Sequence, residues 1–526
     1  MFVFYDTETT GLDKDFSQIL QIALVFTDDD LNILSSKKLE CRTSPWVVPS
    51  PGALLTTGFE PGDLKNNKYS HYEMMQEIDV WIRGQHWPVT FVGYNSIGYD
   101  EPVLAQNLYH NLLDPQLTSS KNDANDQSNG RADVMILVKA VAAYMPGVLK
   151  LKTMNDYGAP SVSLKNVAQQ NGVQLSDDDA HDAMNDIKAT IGVAKLLKKA
   201  APQVWQQLMK LSTVDGVDEF LGANTVFTYL NGGFGKAKAA VMTSLAEREG
   251  SATQALYDLS VDPAPYLAMT VEQLKDVFLS KDKGKPFVLV RKENQPVLMP
   301  MDLSPAVIPA AYNESLYAAR AQALKSNKAF LDKVAQAALL AKQEQLVPAP
   351  PHLPEMTVDQ KIAAPLKAKI EKWAEEFRST DDWNAAAKLI GDFYVRFKDD
   401  LAADPSLSRF VKFAGRIVYE HAPEELSAEK QQAMKKHIAG RVLNPDLKAP
   451  YMTVAKARKE LEQIEQERAQ GKKWQDATDS HIRSLKLYYT SLEKEYNATH
   501  AAAPPTNDNS QTPKLPDANK KPGPRP

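Results

Sequence analysis

Asp6-Thr7-Glu8 ends an apolar run, Phe2-Val3-Phe4-Tyr5, in a chain of 526 residues. Side chains two apart on a strand point to one face, so a strand over this run sets the two carboxylates side by side. They repel each other unless a cation sits between them. Hard oxygen donors at that spacing suit Mg²⁺ or Mn²⁺. Taken alone, the pair is better read as a solvated strand end ahead of the Thr10-Gly11 turn. Two more acidic elements stand at comparable places. Gly93-Tyr94-Asn95-Ser96-Ile97-Gly98-Tyr99-Asp100-Glu101 follows a short buried strand and opens a helix, where Asp100 also has a plain role as an N-cap. His181-Asp182-Ala183-Met184-Asn185-Asp186 opens an amphipathic helix. Asp182 reads as a capping or first-turn acid, and Asp186 lies one turn further in, off the Ile187 stripe.

The elements that would carry these residues alternate between strand and helix over residues 1–199. Apolar runs at Phe2–Tyr5, Ile19–Phe26 and Leu31–Cys41 read as a three-strand meander. His71–Arg83 has helical spacing, Val89–Val92 reads as a buried strand, and Asp133–Ala143 and His181–Lys199 read as helices. Thr118–Gly130 is a mobile loop by composition. Residues 200–346 change character. Thr225–Leu230 and Ala239–Thr243, around Asn231-Gly232-Gly233, suggest a hairpin. Ala255–Leu259, Pro286–Arg291 and Val297–Met299 add strands, and Glu314–Lys342 is helical. Residues 347–357 hold a proline-rich linker, VPAPPHLP. Residues 358–497 are helical by periodicity. The tail, 498–526, is too poor in apolar residues to offset its ordering entropy, and disorder is expected there.

Bulk composition is that of a soluble globular chain, 43% hydrophobic and 24% charged, with a formal net charge of −5. That charge neither supports nor excludes nucleic acid as a partner, because a nuclease concentrates acids at a metal site and bases along a channel. Cys41 is the only cysteine, which excludes an intrachain disulfide and a thiolate zinc site. The chain opens directly into MFVFYDTET without the parts of a signal peptide, and no apolar run reaches membrane-spanning length. A cytoplasmic location without membrane attachment is the expectation.

Together, D-x-E, then Asn…Asp, then His…Asp five residues on, all at strand ends or helix starts of one α/β segment, form the motif order of the DEDD exonuclease superfamily in its His-containing subclass. The chain is identified as a member on those residues. It further resembles the bacterial exodeoxyribonuclease I family. Pro51-Gly52-Ala53-Leu54-Leu55-Thr56-Thr57-Gly58, Tyr99-Asp100-Glu101, Asp133-Val134-Met135 and His181-Asp182-Ala183-Met184 match that family's runs. Gly233-Phe234-Gly235, Tyr257-Asp258-Leu259 and Pro296-Val297-Leu298 match in order beyond them.

The resemblance implies a ribonuclease H-like α/β exonuclease domain, a β-rich SH3-like domain and an all-α C-terminal domain. It implies two Mg²⁺ ions, replaceable by Mn²⁺, held by Asp6, Glu8 and Asp186, with Asp100 helping to position one. His181 would be the general base. The activity implied is 3′→5′ degradation of single-stranded DNA to 5′-mononucleotides, in repair and recombination. The implied partners are single-stranded DNA and single-strand-binding protein, and the chain would act as a monomer. Glu8 would also contact the terminal sugar. The family's basic residue in its S-x-R-L run is replaced here by Ser163, with Lys165 nearby as a substitute for substrate binding. The family's later aromatic–arginine run is altered to Arg416-Ile417-Val418-Tyr419-Glu420-His421-Ala422-Pro423. Basic residues beside aromatics suggest a DNA path over Phe234, Lys236 and Lys238, then Arg409, Lys412 and Arg416 near Phe410 and Phe413. Two alternatives stand beside this reading. One is a DEDD exoribonuclease or proofreading nuclease, which the domains after residue 200 disfavour. The other is a catalytically silent single-stranded DNA-binding protein, disfavoured by the cost of keeping four carboxylates around an empty site.

Overall fold

The computed structural model describes residues 1–85, 87–119, 127–154, 159–174, 182–231, 238–282, 284–345 and 362–501. The linker at 347–357, the tail from 502 and most of the 118–130 loop expectation lie outside the described residues.

The N-terminal unit is built on a five-stranded sheet. Its strands are β1 (Phe2–Thr9), β2 (Ile19–Thr27), β3 (Ile33–Glu40), β4 (Thr90–Gly93) and β5 (Gly130–Asp133), in the order β3-β2-β1-β4-β5. β2 is antiparallel to β1 and β3, whereas β4 and β5 run parallel to β1 and β4 respectively. β2 is buried at every residue, which explains its nearly unbroken apolar run. β1 extends past the expected Tyr5 and carries Asp6 and Glu8 as strand residues.

Among the described residues, seven α-helices accompany this sheet: α1 (Pro51–Thr57), α2 (Pro61–Asn66), α3 (His71–Arg83), α4 (Asp100–His110), α5 (Val134–Tyr144), α6 (Leu164–Gln170) and α7 (Ala183–Ala200). A short pair, β6 (Thr153–Met154) and β7 (Ala159–Pro160), lies ahead of α6. Alternation along β1 sorts its two faces. Phe2 and Phe4 pack with α5 and α7 through Val134, Val138, Ile187 and Ile191. Val3 and Tyr5 pack with α3 and α4 through Met74, Ile78, Val103 and Leu104. The helices therefore form two layers with the sheet between them.

The middle of the chain forms a second, antiparallel sheet. It comprises β8 (Phe227–Asn231), β9 (Lys238–Glu247), β10 (Thr253–Asp258), β11 (Phe287–Arg291) and β12 (Leu298–Pro300), in the order β11-β10-β9-β8-β12. β8 and β9 pair as the expected hairpin, with Asn231 opposite Lys238. Helices at Pro202–Lys210 and Val214–Ala223 precede it, although the sequence reading treats this stretch as β-rich. Their Trp205, Leu208 and Phe220 join the sheet-side core of the first unit to Phe227, Met242 and Leu298, so one apolar core runs across residue 200. The expected helix at 314–342 is two helices, Glu314–Lys325 and Lys328–Gln345.

Helices from Ala364 to Ala501 make the C-terminal part. They pack directly on the first unit. Tyr72, Tyr109 and Leu112 enter a core with Trp373, Phe377 and Phe410. Leu20, Val48 and Leu54 enter another with Val454, Leu461 and Tyr489. Among the described residues no helix is long and apolar enough to cross a membrane.

Candidate metal centre

Asp6 and Glu8 lie at the carboxyl end of β1, on the face covered by α7. Asp186 stands in the first turn of α7. One carboxylate oxygen from each of the three lies within 4.8 Å of the others, and all three residues are half-buried. Asp100 reaches the same end from the opposite layer. It is the first residue of α4, 6% exposed, and the Thr7 hydroxyl donates to its Oδ1 at 2.5 Å. Thr7 is the residue between the two acids on β1, and its side chain points to the α4 side. The strand thus presents two acids to one layer and holds the third acid of the motif from the other.

The expected cap role of Asp100 is not what the structure has. Tyr99 occupies the N-cap position, with no side-chain cap, and Asp100 is inside the helix. The turn ahead of it is tightly specified. A Cβ on Gly93 would meet the Ser96 Cβ at 2.4 Å, so only glycine fits. Asn95 adopts φ +63°, a left-handed conformation that asparagine tolerates. Its N–H donates to Asp133 Oδ1 at 2.8 Å. Asp133 also caps α5 by accepting from the Met135 N–H at 2.9 Å. Tyr5 and Thr118 donate to the two oxygens of Glu101, at 2.6 and 2.7 Å, so the acid next to Asp100 is a buried structural group.

α7 is fastened where it approaches β1. Asp182 is its N-cap, accepting from the Met184 and Asn185 N–H groups. The Gln21 amide oxygen accepts from the Ala183 N–H at 3.0 Å, while its nitrogen donates to Glu40 at 2.8 Å. Lys38 donates to and pairs with Asp182.

The electrostatics follow from this packing. Burial first, then the charges of Asp100, Glu8 and Asp186, hold the Asp6 carboxyl well above the usual carboxylate range. Burial, then Asp186, Asp100 and Asp182, push Glu8 up to about 8. Burial raises Asp100 to about 7 against the pull of the Thr7 hydroxyl, with Asp133 and Glu101 pushing the same way as burial. Acids that resist ionisation because other acids surround them fit a hard divalent cation, which would offset the mutual repulsion.

The other expected residues are dispersed. His181, Phe234 and Lys236 lie outside the described residues, and Lys238 is described only as the first residue of β9. Ser163 is the exposed N-cap of α6, accepting from the Asn166 N–H, and Lys165 is exposed two residues on. The same segment touches the Asp100 turn, because the Tyr94 hydroxyl donates to the Val162 carbonyl at 2.5 Å. Arg409 and Arg416, expected along a DNA path, are buried. Arg409 is 1% exposed, donates to Tyr109 and Ser406, and lies over Phe410. Arg416 is 7% exposed and lies over Trp46. Both guanidinium groups join the helical part to the first unit instead of facing a passing strand, and Phe410 and Phe413 are core residues. Lys412, on the same helix, is exposed.

Sequence reasoning missed the roles of Thr7, Gln21, Lys38 and Asp133. Thr7 had a usable signal, since a β-branched hydroxyl between two acids faces the opposite layer. Gln21 and Lys38 had none, because their partner helix is more than 140 residues away.

Residues 3–194 match a family model described as Exonuclease (RNase_T). Exodeoxyribonuclease I of Buchnera aphidicola subsp. Schizaphis graminum is 31% identical over 211 residues, 40% of this chain and 42% of that relative. Exodeoxyribonuclease I of Haemophilus influenzae is 28% identical over 314 residues, 57% of this chain and 64% of that relative. The chain thus spans less than two thirds of the length of either curated relative. The crystal structure of E. coli exonuclease I in complex with a dA16 oligonucleotide superposes with TM-score 0.69 at 20% identity, over 94% of this chain and 99% of that one. The likeness extends through the second sheet and the C-terminal helices.

Proposed function

Because residues 3–194 match the RNase_T exonuclease family model and 94% of the chain superposes on the exonuclease I fold, we propose that the protein is a 3′→5′ exonuclease of single-stranded DNA. The observation that carries this reading is the convergence of Asp6, Glu8 and Asp186 within 4.8 Å, with Asp100 held beside them by Thr7.

In this reading Asp6, Glu8 and Asp186 would hold two Mg²⁺ ions, replaceable by Mn²⁺, and Asp100 would help to orient one of them. When bound, such ions neutralise charge on the scissile phosphate and stabilise the attacking and leaving oxygens. The chain's own residues do the rest. His181, next in sequence to the α7 N-cap, accepts the proton of the attacking water, a role open to an imidazole at neutral pH. Glu8 contacts the sugar of the terminal nucleotide. Ser163 and Lys165, beside the Tyr94–Val162 contact, bind near that nucleotide in place of the family's arginine. The product is a 5′-mononucleotide.

Support for DNA comes from relatives. The E. coli exonuclease I structure contains a dA16 oligonucleotide, another is a zinc-bound complex with single-stranded DNA, and a third includes SSB. Single-stranded DNA is therefore the proposed substrate and single-strand-binding protein a proposed partner. The chain is proposed to act as a monomer in the cytoplasm, in DNA repair and recombination. Rates on 3′-ended single-stranded DNA, RNA and duplex DNA test the choice of substrate. A preference for single-stranded DNA is expected. Equal or faster cleavage of RNA would replace this reading with an exoribonuclease.

A further inference from the structure

β5 is an edge strand of the first sheet, paired within it only to β4. Its outward N–H groups need partners, and the chain after residue 200 supplies them. The Arg131 N–H donates to the Ser212 carbonyl at 2.8 Å. The Asp133 N–H donates to the side-chain oxygen of Gln295 at 2.8 Å. Gln295 lies between β11 and β12 of the second sheet. It is 1% exposed, and its amide nitrogen donates to the Leu208 carbonyl at 3.1 Å. Its backbone sits at φ +46°, a left-handed conformation that a glutamine rarely adopts. The loop is held on both sides. Lys292 pairs with Asp218 and Glu247, each at 2.7 Å, and the Glu293 carbonyl accepts from Arg131 at 2.8 Å.

What Gln295 grips matters more than the grip. Asp133 is the residue whose carboxylate holds the Asn95 N–H, and Asn95 begins the turn that delivers Asp100. A continuous chain of short hydrogen bonds therefore runs from the second sheet to the metal centre: Gln295 to Asp133, Asp133 to Asn95, and through one turn to Asp100, which Thr7 holds from β1.

We propose that Gln295 is a positioning residue for the metal centre, by which the SH3-like domain sets the placement of Asp100 in the exonuclease domain. The inference rests on the metal-site reading given above. It also gives the second domain a part in the chemistry besides the substrate path expected of it from the sequence.

The test uses full-length protein and four variants. Gln295→Met keeps the volume and removes both polar ends. Gln295→Asn keeps the amide and suits the left-handed backbone better, but is one methylene shorter and cannot span the same gap. Asp100→Asn and Asp186→Asn are the references. Binding of Mn²⁺ alone is measured without DNA, thermal unfolding alongside it, and kcat and KM on a 3′-labelled single-stranded oligonucleotide. Both Gln295 variants are expected to lose Mn²⁺ affinity and kcat about tenfold, with KM within about twofold, the size typical of a lost partner behind a metal ligand. Gln295→Asn should lower the unfolding temperature modestly, because its left-handed preference offsets part of the lost hydrogen bonds. Mn²⁺ affinity and kcat measured well below that transition separate positioning from stability and decide the matter if Gln295→Met does not fold. In Mn²⁺ binding, Gln295→Asn combined with Asp100→Asn should cost less than the sum of the two. A Gln295→Asn protein with wild-type Mn²⁺ binding and kcat, or fully additive losses, overturns the proposal. If Asp186→Asn also binds Mn²⁺ and cleaves like wild type, the metal-site reading falls with it. If Asp186→Asn is inactive while Gln295→Asn is unaltered, only the positioning role is lost.

Discussion

Asp6, Glu8 and Asp186 form one electrostatic unit, so removing any member should act on metal binding before it acts on folding. Asp6→Asn and Asp186→Asn are expected to abolish Mg²⁺-dependent cleavage while keeping a cooperative unfolding transition. His181→Ala should slow cleavage about 10²-fold or more, the loss of a general base, with metal affinity unchanged. Single-turnover rates and Mn²⁺ titration read the two effects separately. The acids also predict a pH dependence. Glu8 is raised from 4.5 to about 8 by burial and its acidic neighbours, so the folded state binds that proton more tightly than the unfolded chain. Its contribution to stability is full below about 4.5 and is lost as pH rises through about 8. In EDTA, Glu8→Gln should therefore lose less stability than wild type between about pH 5 and about pH 9, and Mg²⁺ should close the gap. Parallel melting curves for the two proteins would contradict the cluster's electrostatics. The acids themselves were legible because their order and spacing are carried in the primary sequence. Thr7's hold on Asp100 was half legible, because alternation puts the hydroxyl on the opposite face but only the fold brings Asp100 to that face.

At the scale of elements, the turn before α4 is the most exacting piece. Gly93 has no room for a Cβ, since Ser96 would be 2.4 Å away. Gly93→Ala should destabilise the protein by about 1–3 kcal/mol, the usual cost of forced overpacking, and should lower kcat because the same turn sets Asp100. Urea unfolding and kcat together check this, and an unchanged kcat in a destabilised protein would detach the turn from the site. Some elements could be read to the residue. α3 begins at His71 because Ser70 and Glu73 form a capping box, which is a local signal. β5 was missed. Its four residues span the end of a polar loop at Gly130 and the expected start of a helix at Asp133, and they become a strand only by pairing with β4. The helices at Pro202–Lys210 and Val214–Ala223 were absorbed into a β-rich domain because the strands that follow dominate the pattern.

Over the whole molecule, the helical part clasps the first unit through buried polar contacts that no local pattern announces. Glu460 accepts from the Ser50 hydroxyl at 2.7 Å and the Gly52 N–H at 3.0 Å. A Cβ on Gly52 would come within 2.7 Å of the same Glu460 oxygen, so a larger residue there would displace that carboxylate from its partners. Glu420 lies in the same interface, 3.6 Å from Arg42, and burial pushes it up to about 7. Its contribution to stability is full below about 4.5 and is lost as pH rises through about 7. Glu420→Gln should therefore gain stability relative to wild type on going from about pH 5 to about pH 8, measured by thermal unfolding in EDTA. An equal offset at both pH values would mean that the group ionises freely. Such contacts join residues hundreds of positions apart, which is why Arg409 and Arg416 looked like path residues in sequence and are interface residues in the fold. The proposed chemistry rests on the acids at the end of β1. It is tested most directly by mononucleotide release from a 3′-labelled single-stranded DNA oligonucleotide, comparing wild type in Mg²⁺, wild type in EDTA, and Asp186→Asn in Mg²⁺. Stepwise release of 5′-mononucleotides from the 3′ end in the first alone is the predicted result, and undiminished release by Asp186→Asn would contradict it.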